Sequence, residues 1–94
     1  MKFEWDSRKS KANLQKHGLS FDEAKEIFFG KILTKQDSRN DYGEDRYISI
    51  GAIEENIAVV VVHTDRAEIT RIISARLANK TERKTYYDYI KGTS

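Results

Sequence analysis

The side chains best suited to chemistry in this sequence are three arginines and two histidines. Arg71-Ile72-Ile73-Ser74-Ala75-Arg76 sets two guanidinium groups into an apolar run, and Arg46 opens a second such run. A guanidinium is planar, permanently charged and offers a fork of donors that matches phosphate oxygens. His63 closes the run Val59-Val60-Val61-Val62, and His17 precedes Gly18. Histidine is the side chain that exchanges protons near neutral pH. These types suit cleavage of RNA, whose ribose 2′-OH is a built-in nucleophile. The reaction needs a base for that proton, a cation for the charge growing on the phosphoryl oxygens and an acid for the leaving oxygen. The cation is the larger contribution, with proton transfer adding roughly 10²–10⁴-fold. Arg46, Arg71, Arg76, His17, His63 and several tyrosines supply the types, but their spacing does not show that they converge.

Each of these residues also has a structural reading. Side chains alternate along a strand, so Arg71 and Arg76 are expected on opposite faces. An arginine in an apolar strand is costly unless paired. One is therefore expected to bind a carboxylate such as Asp37, Glu44 or Asp45, and Arg76, at the strand end, to meet phosphate. A framework role for both stays open. His63 can equally be a surface or capping residue, and a helix C-terminus explains His17. Trp5 can stack on a base or anchor the first strand. Tyr86, Tyr89 and Ile90 share one helix face and are expected in the core, which leaves Tyr87, beside Lys84 and Lys91, as a stacking candidate.

The chain has 94 residues, a length for one domain spanning 1–94. Charged residues make up 34% against 38% hydrophobic, and the net charge is only +2, so distribution matters more than total. Acids prevail over residues 37–55, whereas Arg66, Lys80 and Arg83 extend the basic group around Arg71 and Arg76. Lys9 belongs to a second basic group with Arg8, Lys11 and Lys16. Such clustering can give one phosphate-binding face or a solvated mixed surface. With no cysteine, disulfides and zinc–thiolate sites are excluded. Two histidines cannot build a three-histidine zinc site, and no phosphate loop, HExxH or nucleophile elbow occurs. A metal site built with carboxylates stays open, but the expectation is no metal and no cofactor. No apolar run nears the roughly 20 residues that span a bilayer, and the opening residues do not read as a signal peptide, so the cytoplasm is the expected location.

These side chains must be positioned by short elements. Residues 2–5 alternate as a first strand. Asp6 can cap a helix that stops at Gly18. Ser20 and Glu23 form a capping box for a second helix, with Phe21, Ala24, Ile27 and Phe28 on one face, ending at Gly30. Four strands follow over 32–36, 46–52, 57–64 and 69–76, after which Asn79 and Glu82 signal a helix to about residue 91. The polar stretch 37–45, with Asn40 and Gly43, reads as a loop. Turns at 54–56 and 65–68 are too short for parallel crossovers. The expected fold is α+β: an antiparallel sheet, made of a four-stranded meander plus the short N-terminal strand, with two N-terminal helices and one C-terminal helix.

In order along the chain, Phe3-Glu4-Trp5-Asp6, Asn13-Leu14-Gln15-Lys16-His17-Gly18, Arg46-Tyr47-Ile48-Ser49-Ile50-Gly51, Val60-Val61-Val62-His63-Thr64 and the Arg71–Arg76 segment resemble BrnT-type toxins of type II toxin–antitoxin systems. Glu82-Arg83 and Tyr86 continue the likeness, while Ser7 stands where the family usually has proline. The resemblance implies a RelE-like fold and a ribonuclease that inhibits translation. It also implies neutralisation by a BrnA-like antitoxin, through which alone operator DNA is contacted. By position it points to Arg46, Arg71, Arg76 and His17, and more weakly to Trp5, His63 and Tyr86. Two other expectations stand beside it: a non-enzymatic module that binds nucleic acid or protein on the same fold, and an inactive toxin relic.

Overall fold

The structure, a computed structural model, describes residues 1–39, 41–54 and 56–92. Asn40 of the expected 37–45 loop and Glu55 of the expected 54–56 turn lie outside them. Local chemistry sets the helices. β1 (Lys2–Glu4) leads to α1 (Ser7–His17), where Asp6 accepts from the Arg8 N–H and Gly18 ends the helix at φ 71°. That left-handed conformation favours glycine. The Ser20–Glu23 capping box opens α2 (Phe21–Ala24). The expected single helix to Gly30 instead tightens into a 3-10 helix, Lys25–Phe29. Its Ile27 lies so close to Gly51 that a Cβ there would sit 2.6 Å from the Ile27 Cβ. The tighter turn seats Ile27 directly on the sheet.

The strands are β2 (Leu33–Asp37), β3 (Arg46–Ile53), β4 (Ile57–Arg66) and β5 (Ile69–Leu77), and α3 (Lys80–Gly92) follows. The sheet order is β1-β5-β4-β3-β2, and β2 to β5 form the expected antiparallel meander. β1, however, runs parallel to β5, so the sheet is mixed and not wholly antiparallel. A parallel pair needs a long crossover. Here two α-helices, the 3-10 helix and three strands lie between the two partners, so the limit set by short turns does not apply to β1. The β4–β5 turn is also shorter than the expected 65–68, because pairing continues to Arg66↔Ile69 and leaves Ala67 and Glu68 at φ 50° and 66°. Positive φ at both central residues is the geometry of a tight two-residue hairpin.

The sheet has one covered and one half-open face. On the covered face α1, α2 and the 3-10 helix bury Leu19, Phe21, Ala24, Ile27, Val59 and Val61 with Ile72 and Ala75. On the other face α3 covers one end, packing Tyr86 against Ala58, Val60 and Ala78. The rest of that face is left open by the helices.

Candidate functional site

The placement of the arginines depends on one residue of β5. Pairing passes from Val62↔Ser74 to His63↔Ile72, so Ile73 has no partner in β4 and forms a bulge. A bulge inserts one residue and resets alternation. Arg71 then lies opposite Thr64, and Arg76 opposite Val60. Val60, Val62 and Thr64 share one face by alternation, so both arginines project from it, not from opposite faces as expected. The same bookkeeping across β3 and β2 adds Lys35 and Arg46, since Ile48 pairs with both Val62 and Lys35 and Arg46 is two residues before it. Arg66, two residues beyond Thr64, joins them. Lys35, Arg46, Arg66, Arg71 and Arg76 therefore share the half-open face.

Each arginine has an anionic neighbour, with very different geometry. Arg71 meets Glu4 at 3.7 Å across the parallel pair, and Glu44 stands 3.9 Å from Arg46 and 3.8 Å from Arg66. These are loose contacts. Arg46 also lies over the Tyr42 ring at 3.9 Å, and its Nε is buried with no hydrogen-bond partner among the described residues. Asp37, expected as a partner for Arg71 or Arg76, is gripped by Arg39 through two bonds of 2.8 Å. That grip holds its carboxyl at about 2. Asp45 accepts from Gln36 instead. Arg76, expected to keep its fork for phosphate, donates to both oxygens of Glu82 at 2.7 and 2.8 Å. The guanidinium beside Glu82 lowers that carboxyl to about 2.

A groove of about 400 Å³ lies between the sheet and the first turns of α3. Leu33, Ile48 and Ile50 give it an apolar lining, and Lys35, Arg39 and Arg76 give it charge, with Glu82 beside them. An apolar floor with cationic walls suits a nucleotide, whose base is flat and whose phosphate is charged. Sequence reasoning singled out Arg76 here but missed Lys35, Arg39 and Glu82. Lys35 alternates with Leu33 along β2, which is a legible signal once the strand's inner face is known.

The remaining candidates lie elsewhere. His63 is 2% exposed on the covered face, bonded by Nε2 to Ser49 Oγ at 2.7 Å and by Nδ1 to Asp65 at 3.0 Å. Burial lowers its pKa below the usual value, against the opposing pull of Asp65. It is not at an accessible strand end, because β4 runs on to Arg66. Trp5 is half-buried and packs against the covered core, its ring perpendicular to that of Phe21 with centroids 6.4 Å apart, which fits the anchoring role. Tyr86 is 2% exposed and donates to the Lys31 carbonyl. Tyr87, expected to face away, is half-buried against Tyr86 and donates to the Asn56 carbonyl, whereas Tyr89 is the exposed one. His17 and Lys9 are exposed on α1, which packs along β5 with its neighbours on the covered face. Lys80 and Arg83 are exposed near the start of α3, and Arg83 donates to the Ala78 carbonyl. Among the described residues, no three His, Cys, Asp or Glu side chains are grouped to hold a metal ion. No helix among them is long and apolar enough to cross a membrane.

Fold and face together define a small α+β scaffold: a mixed five-stranded sheet, helices closing one side, arginines on the other. The chain belongs to the BrnT family, since the family model described as "Ribonuclease toxin, BrnT, of type II toxin-antitoxin system" matches residues 5–82. It is accordingly a ribonuclease toxin of a type II system, with an antitoxin as partner. The 1.1 Å crystal structure of the Brucella abortus ribonuclease toxin BrnT is similar to it, with 30% identity and a TM-score of 0.65. That match covers 85% of this chain and 99% of the Brucella one. No curated protein matches the sequence.

Proposed function

We propose that this toxin is a metal-independent endoribonuclease, built as one domain over 1–94, which binds RNA across the half-open sheet face. In this reading it inhibits translation in the cytoplasm and is silenced by a BrnA-like antitoxin that covers the same face. Operator DNA is contacted only through the antitoxin. The antiparallel meander, with two helices before it and one after, supports the RelE-like relationship.

The observation that carries the reading is the Ile73 bulge, which brings Arg71 and Arg76 to one face with Arg46. When the 2′-oxygen attacks phosphorus, the P–O2′ bond forms, the P–O5′ bond breaks, the leaving O5′ takes a proton from solvent, and charge grows on the phosphoryl oxygens. Arg76, clamped by Glu82, and Arg71 beside it on the same face stabilise that charge, the largest contribution such a site makes. Proton transfer does not use His63, which is sealed on the covered face. Glu4 and Glu44, beside Arg71 and Arg46, are the carboxylates placed to accept the 2′-OH proton.

The test is growth after induction of the chain alone, paired with RNA cleavage by purified protein in a metal chelator. Arrest and cleavage are expected for wild type, and neither for folded Arg76→Ala. Intact RNA, or normal growth at good soluble expression, overturns the reading. One observation favours a binding module that does not cut: neither histidine accompanies the arginines. RNA retention without cleavage at any pH is its signature.

A further inference from the structure

Arg76 uses only part of its guanidinium on Glu82. Nη1 donates to Glu82 Oε1 at 2.7 Å and to the Leu77 carbonyl at 3.3 Å, and Nη2 donates to Glu82 Oε2 at 2.8 Å. A guanidinium has five N–H donors. The Nε–H and the second Nη2 hydrogen remain, with no hydrogen-bond partner among the described residues. These two form the side-on fork, the edge through which Arg39 grips Asp37 by Nε and Nη2. It has the spacing of two carboxylate or phosphate oxygens.

Glu82 is itself held. The Asn79 backbone N–H donates to Glu82 Oε1 at 2.9 Å, and Asn79 Oδ1 accepts from the Glu82 N–H at 2.8 Å. This reciprocal cap ties the carboxylate to the first turn of α3. Arg76 and Glu82 both line the groove, with Lys35 and Arg39. The order of support runs from cap to carboxylate to guanidinium to groove.

We infer that Glu82 is a positioning residue of the ribonuclease: it clamps Arg76 by the end-on fork so that the side-on fork receives an RNA phosphate in the groove. This rests on the reading under Proposed function. A carboxylate that merely masked Arg76 would raise activity when removed. One that served only the fold would change the melting temperature and leave turnover per folded molecule intact.

The experiment measures kcat, KM and Tm for RNA cleavage by wild type, Glu82→Gln, Arg76→Lys and the double variant. A lysine is a point charge with no second fork to aim. Glu82→Gln is expected to lower kcat by about 10²-fold, the cost of a misplaced group, with KM changed far less. In the Arg76→Lys background it is expected to lower kcat no further. An unchanged or higher kcat in Glu82→Gln overturns the inference, as does an equal loss in both backgrounds. Inorganic phosphate titrated into labelled wild type, read at the Arg76 Nε–H resonance, separates the two readings. A cleaving protein whose resonance stays unmoved sinks the fork assignment and leaves the ribonuclease standing. A shifted resonance in a protein that never cleaves does the reverse.

Discussion

The two faces of this sheet are made by the same strands and treat their polar groups in opposite ways. On the covered face the buried side chains of Asn13, Ser49 and His63 each close on another protein group. Asn13 donates to the Leu19 and Ala75 carbonyls, and Thr34, Ser49, His63 and Asp65 form one hydrogen-bonded chain. A buried polar group without a partner is expensive, so such closure is what the helices above it require. On the half-open face the ion pairs of Arg46, Arg66 and Arg71 are loose, and among the described residues the Arg46 Nε and the side-on edge of Arg76 have no hydrogen-bond partner. The difference teaches why the distribution of charge matters more than its total. An excess of only +2 is compatible with five cationic residues on one side of one sheet.

If the covered face carries stability and the open face carries activity, substitutions should separate the two. The largest effect is expected from Phe21→Ala, since the side chain is 1% exposed in the covered core. A loss of about 3–5 kcal/mol is expected in denaturant unfolding, with RNA cleavage per folded molecule preserved. A stable Phe21→Ala protein that has lost cleavage would break the division. Arg71→Ala should do the converse. Cleavage is expected to fall by roughly 10²–10³-fold, the cost of one preorganised donor, while the unfolding midpoint moves little because the Glu4 contact is loose.

His63→Gln sharpens the comparison through pH. The folded pKa of His63 lies below 6.5, so the unfolded chain binds its proton first as pH falls. The stability is therefore fully present above about pH 6.5 and drains away as pH drops toward the folded value. Wild-type melting temperatures should fall from about pH 7 to 5, and the variant should show a shallower slope there. It should also be less stable by about 1–3 kcal/mol at neutral pH, because a single amide cannot bridge the buried Ser49 and Asp65 as the two imidazole nitrogens do. Parallel pH curves for the two proteins would mean that another group governs this range. The smallest effect is expected from Tyr87→Phe, which deletes one hydrogen bond to the Asn56 carbonyl. Stability should drop by about 0.5–1.5 kcal/mol and RNA affinity should stay the same. A tenfold loss of affinity would mean that the Tyr87 hydroxyl meets RNA rather than serving the Asn56 carbonyl alone.

Much of the frame was legible because it is written in short-range chemistry. Asp6 and Gly18 bound α1, Ser20 with Glu23 opens α2, and Asn79 with Glu82 opens α3, each through bonds between residues a few positions apart. The hairpin pairing of β3, β4 and β5 followed from turns too short for anything else. The tyrosines were harder. Tyr86 was assigned to the core and is there, but Tyr87 packs beside it in place of Tyr89. Helical spacing says which residues share a face. It does not say where the Asn56 carbonyl will stand to receive a phenol.

The residue types and the arginine-bearing strands were thus readable along the chain, as was the order of elements, because capping, alternation and turn length act locally. Three decisions belonged to tertiary structure alone. β1 lies parallel to β5 because a distant strand edge was available. His63 is a core residue because Ser49 and Asp65 come to it from within the same sheet under the covering helices. Arg71 and Arg76 face the same way because the pairing with β4 leaves Ile73 out of register. Nothing local in Arg71-Ile72-Ile73-Ser74-Ala75-Arg76 announces a bulge, since the extra residue is extra only relative to a partner strand.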